Sequence, residues 1–430
     1  MNKITKNASW IIACKLAQSI LNLFVSMITA RYLGPSNYGL ITYAHSIVAF
    51  IVPLVQLGIN AIYVQEIVDN PDCEGEIVGT ATLLTSISSL LGILGLWAFT
   101  SIVNKNEQET ILVVLIYSLS LFFQMTEMVQ YWYQSKLMSK YVSIVSLISR
   151  FLVSIYKIYI VISGKNIYWF AVVNSLDFLM ISVALYAIYF RLGGQRLIFS
   201  KTKAVELLSN GRYFVLAGLM VSVFSQTDRI MLKLMINDAE SGFYSAAISC
   251  AGMTVFVFTA VMDSFRPVVF GYKRDNQEKY RNSLIRLYSI IIYMALVQSV
   301  VLTLFAKRIT ILIYGEQYSP SVGILRIVTW YSAFSYLGSA RYIWFISENK
   351  QKYIWRIDLI GAVCNVIGNL TLIPLLGARG AALASLLTQV ITNFVLNFVF
   401  EPIRENGIYM LKALNPIIIW NMCVGRKRKN

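Results

Sequence analysis

Charged side chains are scarce in this sequence. Asp, Glu, Lys and Arg make up 13% of the 430 residues, whereas apolar residues make up 57%. Soluble domains carry roughly 25% charged residues, and half of that proportion cannot cover the surface of a soluble protein of this size. The apolar content also excludes a disordered chain. These proportions indicate a protein that crosses a membrane several times.

Histidine and recognisable catalytic motifs are also rare or absent. His45 is the only histidine, and the five cysteines show neither metal-ligand spacing nor a disulfide framework. No GxxxxGK[ST] loop occurs, so transport would have to draw on an ion gradient, the substrate gradient or a partner. We therefore expect no catalytic residues, no metal site and no cofactor. We interpret His45 as a packed or wall-lining side chain.

Apolar blocks of membrane-spanning length recur along the whole chain. They cover residues 8–30, 39–63, 77–103, 111–134, 141–163, 166–190, 212–236, 242–265, 284–306, 321–346, 354–376 and 379–400. The loops between them are short. Because no small-residue cleavage site follows the first block, we interpret it as a retained span. The predicted fold is an all-α polytopic membrane protein with about twelve transmembrane helices.

The net charge of +16 has an uneven distribution. If the N-terminus is cytoplasmic, 24 Lys and Arg residues fall in cytoplasmic segments or at the cytoplasmic ends of the blocks, and six fall in external loops or at an external block end. Positive residues concentrate on the cytoplasmic side of membrane proteins, so we predict that both termini are cytoplasmic and that the excess charge does not reflect nucleic-acid binding. We expect residues 408–424 to form a helix at the inner membrane face, anchored by the basic tail.

Short sequence matches suggest that the two halves are related. Residues 39–44 (GLITYA) resemble 242–247 (GFYSAA), and 140–142 (KYV) resemble 352–354 (KYI). Both pairs agree on a shift of six helices, which preserves orientation and predicts two parallel repeats. The predicted organisation is a six-helix lobe over 1–200, a second over 201–403 and a cytoplasmic or interfacial basic tail over 404–430.

Polar residues share one face of the fifth predicted helix. Their +3, +4, +4, +3 spacing is that of one helical face. They are Ser143, Ser146, Arg150, Ser154 and Lys157. An arginine at the bilayer centre costs about 2.5–3.5 kcal/mol on insertion scales. A partner carboxylate or an anionic ligand has to offset that cost for Arg150.

Other polar residues in the spans extend this candidate site. The candidate cavity residues of the first and seventh helices are Asn22, Arg31, Gln226 and Arg229. The acidic candidates for ion coupling or charge pairing are Glu127, Asp177, Asp228 and Asp263. Lys157 and Asp177 lie at similar depth in a helical hairpin, so they either form an internal ion pair or belong to the cavity. For Lys15, Lys233, Arg326 and Arg341 we favour side chains that extend to the interface.

The cationic stripe favours a particular class of cargo. Arginine matches phosphate oxygens with two parallel hydrogen bonds, and neighbouring Ser, Asn and Gln residues can bond hydroxyl-rich sugars. The pattern therefore indicates a polar, phosphate-bearing cargo.

Several segments together match the motifs of one known family. Residues 30–39 (ARYLGPSNYG) are similar to its junction motif after the first helix, to which Arg31 belongs. The other matching segments are 131–136 (YWYQSK), 228–232 (DRIML), 242–247 (GFYSAA), 314–318 (YGEQY) and 369–382 (NLTLIPLLGARGAA). Together they resemble the bacterial flippases of polysaccharide repeat units (O-antigen and capsule), whose superfamily also holds multidrug-extrusion transporters and lipid II flippases.

The resemblance implies two lobes around a central cavity and a specific activity. This activity is the movement of undecaprenyl-diphosphate-linked oligosaccharide from the inner to the outer leaflet of the bacterial plasma membrane by alternating access. Membrane lipid and the lipid-linked oligosaccharide are the expected partners, and polysaccharide polymerase machinery is a candidate partner. Arg150 and Lys157 match no motif of the family, so their assignment depends on the charge pattern alone.

Two alternatives remain from the residues themselves. A multidrug-extrusion antiporter would need an anionic cavity for organic cations, and the net cationic stripe argues against it. A membrane glycosyltransferase or polymerase would need a large external loop or an acid/base set. The acidic residues of 66–76 are the one candidate for such a set, and we interpret them as a solvated loop.

Overall fold

The computed structural model describes the backbone of residues 3–417 and, from Cys14 onward, nearly all side chains in that range. Seventeen α-helices and several short 3-10 or π segments make up most of this part of the chain, and it contains no strand. The helices are α1 Lys3–Val55, α2 Ile59–Asp69, α3 Glu74–Val103, α4 Gln108–Ser118, α5 Ser120–Thr126, α6 Gln130–Ser135, α7 Ser139–Ile162, α8 Ile167–Arg191, α9 Lys201–Met235, α10 Asp238–Ala251, α11 Val255–Asp275, α12 Gln277–Tyr314, α13 Ser321–Ser347, α14 Ile354–Leu376, α15 Ala378–Val390, α16 Leu396–Val399 and α17 Arg404–Ala413.

Ten helical stretches of the described range are long and apolar enough to cross a membrane. One of them lies within α1, which a kink at Gly34 divides into two helical arms. Helix α13 is a further long helix outside the ten. Each of the twelve predicted apolar blocks coincides with one helix, one arm of a helix or a group of consecutive helices. The prediction of an all-α polytopic fold is confirmed.

The first two predicted spans are joined through Gly34 rather than through a loop. Gly34 has φ 73° and ψ 171°, a combination that is essentially restricted to glycine. Pro35 follows, and its fixed φ suits the first turn of the next helical arm. The Gly-Pro pair of the 30–39 motif thus divides α1 into arms 3–33 and 35–55.

Four predicted spans are interrupted, which hydropathy did not indicate. The second runs from the second arm of α1 into α2 across a turn at residues 56–58, the fourth consists of α4, α5 and α6, the eighth of α10 and α11, and the twelfth of α15 and α16 joined by the π-helical segment Ile391–Val395. Such interruptions shift backbone carbonyl groups away from the regular helical hydrogen bonds. In lipid those carbonyls need another donor.

Contacts divide the chain into two compact units, Met1–Lys233 and Leu234–Asn430. Helix α9 therefore packs mainly with the first unit, although the sequence interpretation placed it at the start of the second lobe. The predicted lobes 1–200 and 201–403 remain a prediction based on the repeat.

The polar stretch before α9 is fixed against the start of α3. The Ile198 N–H donates to the Gly75 carbonyl (3.2 Å), and the Gly75 N–H donates to the Gln195 side-chain oxygen (2.8 Å). A Cβ atom at Gly75 would lie 2.3 Å from the Arg196 carbonyl oxygen. Glycine at position 75 is therefore required for this segment to approach the helix closely.

The second unit contains a ladder of buried amide side chains, which we call the amide ladder (Asn365, Asn369, Gln389, Asn393, Asn397 and Asn406). Asn406 donates to the Asn397 side-chain oxygen (3.0 Å) and accepts from the Tyr288 hydroxyl (2.5 Å). Within α14, Asn369 donates to the Asn365 side-chain oxygen (3.2 Å), and Asn365 donates to the Ser385 hydroxyl of α15 (3.1 Å). Interhelical amide bonds of this kind hold helices together inside a membrane.

The predicted helix after the last span lies partly within the described range. Helix α17 ends at Ala413, and the Ala413 and Leu414 carbonyls accept hydrogen bonds from Ser289 (2.6 Å) and Tyr293 (2.7 Å) of α12. These bonds fix the helix to the second unit. Residues 418–430, which include the basic tail, lie outside the described residues.

Candidate functional site

The charged residues predicted in the fifth and sixth spans lie together in the first unit. Asp177 of α8 is buried and accepts a 2.6 Å hydrogen bond from the Ser149 hydroxyl of α7. Asp177 and Arg150 both act electrostatically on Lys157. The same two residues act electrostatically on the buried carboxyl group of Glu127. We call Glu127, Arg150, Lys157 and Asp177 the charged cluster.

The Arg150 guanidinium is only partly satisfied. Its Nη1 lies 3.5 Å from the side-chain oxygen of Asn22 in α1, and its Nε is buried without a hydrogen-bond partner among the described residues. The Ser154 hydroxyl donates to the Arg150 backbone carbonyl (2.6 Å). A buried N–H donor that lacks an acceptor is costly, so the site favours an additional acceptor at this position.

A second polar group lies on α9 and leads towards the charged cluster. Arg229 Nη1 is 3.4 Å from the Gln226 side-chain oxygen, and Arg229 interacts electrostatically with His45 of α1. The His45 ring meets the Tyr117 ring edge-on at 6.2 Å, and Tyr117 lies within electrostatic range of Asp177. Arg229, His45, Tyr117 and Asp177 thus form a series in which each lies within electrostatic range or ring contact of the next, and we call this series the polar path.

The remaining predicted residues occupy other environments. Arg31 is exposed just before Gly34, and Asp228 is buried on α9. Asp263 belongs to the second unit, where its half-exposed carboxylate lies 3.5 Å from Arg266. The Lys15 side chain lies outside the described residues.

Lys233, which we predicted to extend to the interface, reaches a turn at the end of the membrane-spanning stretches. Its buried side chain lies 2.5 Å from the Glu107 carboxylate in the turn before α4. Desolvation alone would raise the pKa of the Glu107 carboxyl group. Hydrogen bonds from Lys233, Thr110 and Asn104, together with the positive charge of Lys233, outweigh this effect, so the pKa of Glu107 lies below its ordinary value. The Glu107 carboxyl group therefore stays ionised at neutral pH, and its contact with Lys233 fixes the end of α9 to this turn.

The prediction that Arg341 extends to the interface is also wrong. Arg341 of α13 is buried, and its Nη1 donates to the Thr392 carbonyl (2.6 Å) in the π-helical segment. The guanidinium lies over the Phe345 ring at 5.0 Å. Arginine here satisfies a carbonyl that the irregular helix displaces, which is a structural role inside the second unit.

The acidic segment 66–76 is not simply a solvated loop, as the sequence had suggested. Glu74 at the start of α3 is buried and accepts a 2.8 Å hydrogen bond from the Trp132 indole N–H. Its carboxylate also pairs with Lys136. Trp132 and Lys136 both belong to the YWYQSK motif, so this motif serves to hold α6 against α3.

Replacing Glu74 by alanine should destabilise the protein. Trp132 is buried, and the loss of its acceptor is expected to cost about 1–3 kcal/mol of unfolding free energy. Glutamine at position 74 keeps an acceptor and should cost less. Thermal unfolding in detergent measures both changes, with Asp72→Ala on the exposed turn as the control. Equal stability of the Glu74→Ala and control variants would contradict this assignment.

The sequence has a clear family relationship. Residues 4–273 match the family model described as polysaccharide biosynthesis protein. The chain belongs to this family. Part of it is also similar to the probable flippase AglR of Haloferax volcanii, with 24% identity over 201 residues. That match covers 45% of this chain and 41% of AglR, so the chain spans less than half of that relative.

Solved structures share the fold over nearly the whole chain. The inward closed lipid II flippase MurJ matches with a TM-score of 0.72 and 15% identity, covering 98% of this chain and 93% of MurJ. An inward-facing multidrug resistance transporter of the MATE family matches with a TM-score of 0.66 and 14% identity, covering 93% of this chain and 96% of that chain. These matches show that the chain shares the fold of these two transporters, which is the kind of fold that the sequence resemblance implied.

Proposed function

We propose that this protein is a flippase that moves undecaprenyl-diphosphate-linked oligosaccharide from the inner to the outer leaflet of a bacterial plasma membrane by alternating access. The product would be used for a surface polysaccharide such as O-antigen or capsule. Membership of the polysaccharide biosynthesis family and the name of the relative AglR support this assignment. A role as a transporter rather than an enzyme is part of the proposal.

The environment of Arg150 is the observation that carries the proposal. Its guanidinium lies in the middle of a membrane-spanning helix, next to the Asn22 amide, and its buried Nε is without an acceptor in the described structure. A diphosphate oxygen is a strong acceptor for this donor. Lys157 adds a second positive charge, and Gln226 and Arg229 supply further donors for phosphate or sugar.

The carboxylates of the charged cluster have a second role in the proposal. Asp177 faces Arg150 and Lys157 when no cargo is present, which lowers the cost of burying two cations, and Glu127 lies within electrostatic range of Arg150 and Asp177. An arriving diphosphate would compete with them for the cations. Asp177, Glu127, Asp228 and Asp263 are the candidate positions for charge pairing or for coupling to an ion gradient.

Reconstitution tests the activity directly. Vesicles would contain the purified protein and a fluorescent undecaprenyl-diphosphate oligosaccharide, and a membrane-impermeant glycosidase would report which oligosaccharides face outward. We expect the protein to increase the exchange rate between leaflets well above that of empty vesicles. An unchanged rate, with protein that is folded by thermal unfolding, would overturn the proposal.

The second candidate is a multidrug-extrusion-type antiporter for organic cations, and one observation favours it. Glu127 and Asp177 are buried carboxylates within electrostatic range of each other in the first unit. Such a pair suits a cationic drug or a coupling cation. The same vesicles loaded with ethidium test this candidate, since gradient-driven ethidium transport without oligosaccharide exchange would favour it.

Orientation and partners complete the proposal. The distribution of Lys and Arg supports cytoplasmic termini, and the cargo implies contact with membrane lipid and handover to polysaccharide polymerase machinery. Labelling of single cysteines placed near each terminus, with an impermeant reagent in intact cells, tests the orientation.

A further inference from the structure

The first unit contains an apolar groove of about 660 Å³ between the second arm of α1, α3 and α9. Its walls are mainly Ile, Leu, Phe and Val side chains, and Ser88 and Thr227 are the polar residues among those that line it. This volume lies within the range of roughly 300–1,000 Å³ that is typical of ligand sites. The groove runs along membrane-spanning helices, so its mouth faces lipid rather than water.

Two glycines of α3 give the groove its width. A Cβ atom at Gly95 would have no atom within 4 Å, so this position faces open space. A Cβ atom at Gly92, one turn earlier, would lie 2.8 Å from a methyl group of Val55. Gly92 therefore lets α3 approach α1, and Gly95 leaves room for a ligand. An apolar space of this size does not attract water.

One end of the groove lies next to the polar path of the first unit. Ile230 and Thr227 line the groove on α9. Gln226 lies one turn before Ile230 on the same helical face, and its side-chain oxygen is 3.4 Å from Arg229 Nη1. A ligand with an anionic head and an apolar tail would therefore meet complementary surfaces at this place.

We propose that the groove binds the isoprenoid chain of the lipid-linked cargo while the diphosphate lies at Arg229 or further along the polar path. This inference depends on the proposed function for the identity of the cargo. The charge at one end and the apolar walls beyond it distinguish the groove from a surface for another protein. Occupation by the isoprenoid chain keeps the tail in an apolar environment while the head group crosses the membrane.

Filling the groove should slow transport of the cargo. Gly95→Phe places a large side chain in the open space, and we expect at least a tenfold lower rate of oligosaccharide exchange in the vesicle assay. Gly271→Phe on α11 is the matched control, because a Cβ atom there also has no atom within 4 Å and the position lies outside the groove. The control should stay within twofold of the unmodified protein.

Photo-crosslinking identifies the occupant independently of transport. A benzoylphenylalanine at Leu91, which lines the groove, should crosslink to added undecaprenyl phosphate, whereas the same group at Leu90, which faces away, should not. Crosslinks at Leu91 to phospholipid acyl chains alone would overturn the inference, as would a Gly95→Phe rate equal to that of the control. If the unmodified protein exchanges no oligosaccharide, the proposed function fails, and the crosslink to undecaprenyl phosphate still decides the groove.

Discussion

Replacing Arg150 by glutamine is expected to reduce oligosaccharide exchange by about 10- to 100-fold. Hydrogen bonds to charged groups contribute roughly 1.5–3 kcal/mol each, and each 1.4 kcal/mol corresponds to about a factor of ten. The loss should affect exchange more than folding, because the guanidinium makes only a 3.5 Å contact with Asn22 and leaves its Nε without a partner among the described side chains.

Replacing Arg150 by lysine distinguishes phosphate binding from simple charge balance, because the two side chains carry the same charge but differ in the shape of their donor groups. Arg150→Lys keeps the positive charge but loses the two parallel donors that match a phosphate group. We expect intermediate exchange for this variant if the guanidinium contacts the diphosphate. Restored exchange equal to that of the unmodified protein would instead favour a role in balancing Glu127 and Asp177.

The control for these variants is Arg326→Gln, which removes an exposed arginine from a membrane helix of the second unit. The vesicle assay measures all three variants at equal protein content, and thermal unfolding in detergent confirms that each is folded. Exchange by Arg150→Gln within twofold of the unmodified protein would remove Arg150 from the candidate site.

Replacing Gly380 by alanine is expected to lower the unfolding free energy by about 3 kcal/mol, at the upper end of the usual cost of overpacking. A Cβ atom there would lie 2.1 Å from the backbone oxygen of Leu372, far inside van der Waals contact. Backbone atoms cannot turn away as a flexible side chain can, so α14 and α15 would have to separate. Valine at the same position should prevent folding.

Gly271→Ala provides the matched comparison for this change. Gly271 lies in α11, where an added Cβ atom meets nothing within 4 Å. Alanine is the better helix former by about 1 kcal/mol, so stability should stay equal or rise slightly. The midpoints of thermal unfolding in detergent give both values. A Gly380→Ala midpoint equal to that of the unmodified protein would mean that the two helices do not approach so closely.

The sequence predicted the spans well because their signal is local. Long apolar blocks require helices in a membrane, and Gly164 and Gly377, which lie between consecutive blocks, adopt positive φ. The interruptions within the fourth, eighth and twelfth spans left no such signal, since hydropathy reports transfer into lipid and not the path of backbone hydrogen bonds. The broken helix at Ile391–Val395 depends on its contact with Arg341, which is distant in sequence.

The candidate site was predictable along one helix but not between helices. Helical spacing placed Arg150, Ser154 and Lys157 on one face, but it could not show that Asn22 would lie next to Arg150. The same limit explains the error at Arg341, which is buried against a partner from another part of the second unit. Nothing in the sequence distinguished Ser149 from other serines in the spans, although its hydroxyl donates directly to the Asp177 carboxylate.

The amide ladder gives the second unit a polar interior that does not respond to protons. Asparagine and glutamine side chains do not titrate. The hydrogen bonds that join Tyr288 to Asn406 and Asn406 to Asn397 therefore stay the same when the pH differs between the two sides of the membrane. The charged cluster of the first unit contains two carboxyl groups, whose protonation would change its net charge. Of these two polar networks, the charged cluster is therefore the one on which a proton-motive force can act, whereas the hydrogen bonds of the amide ladder do not change with protonation.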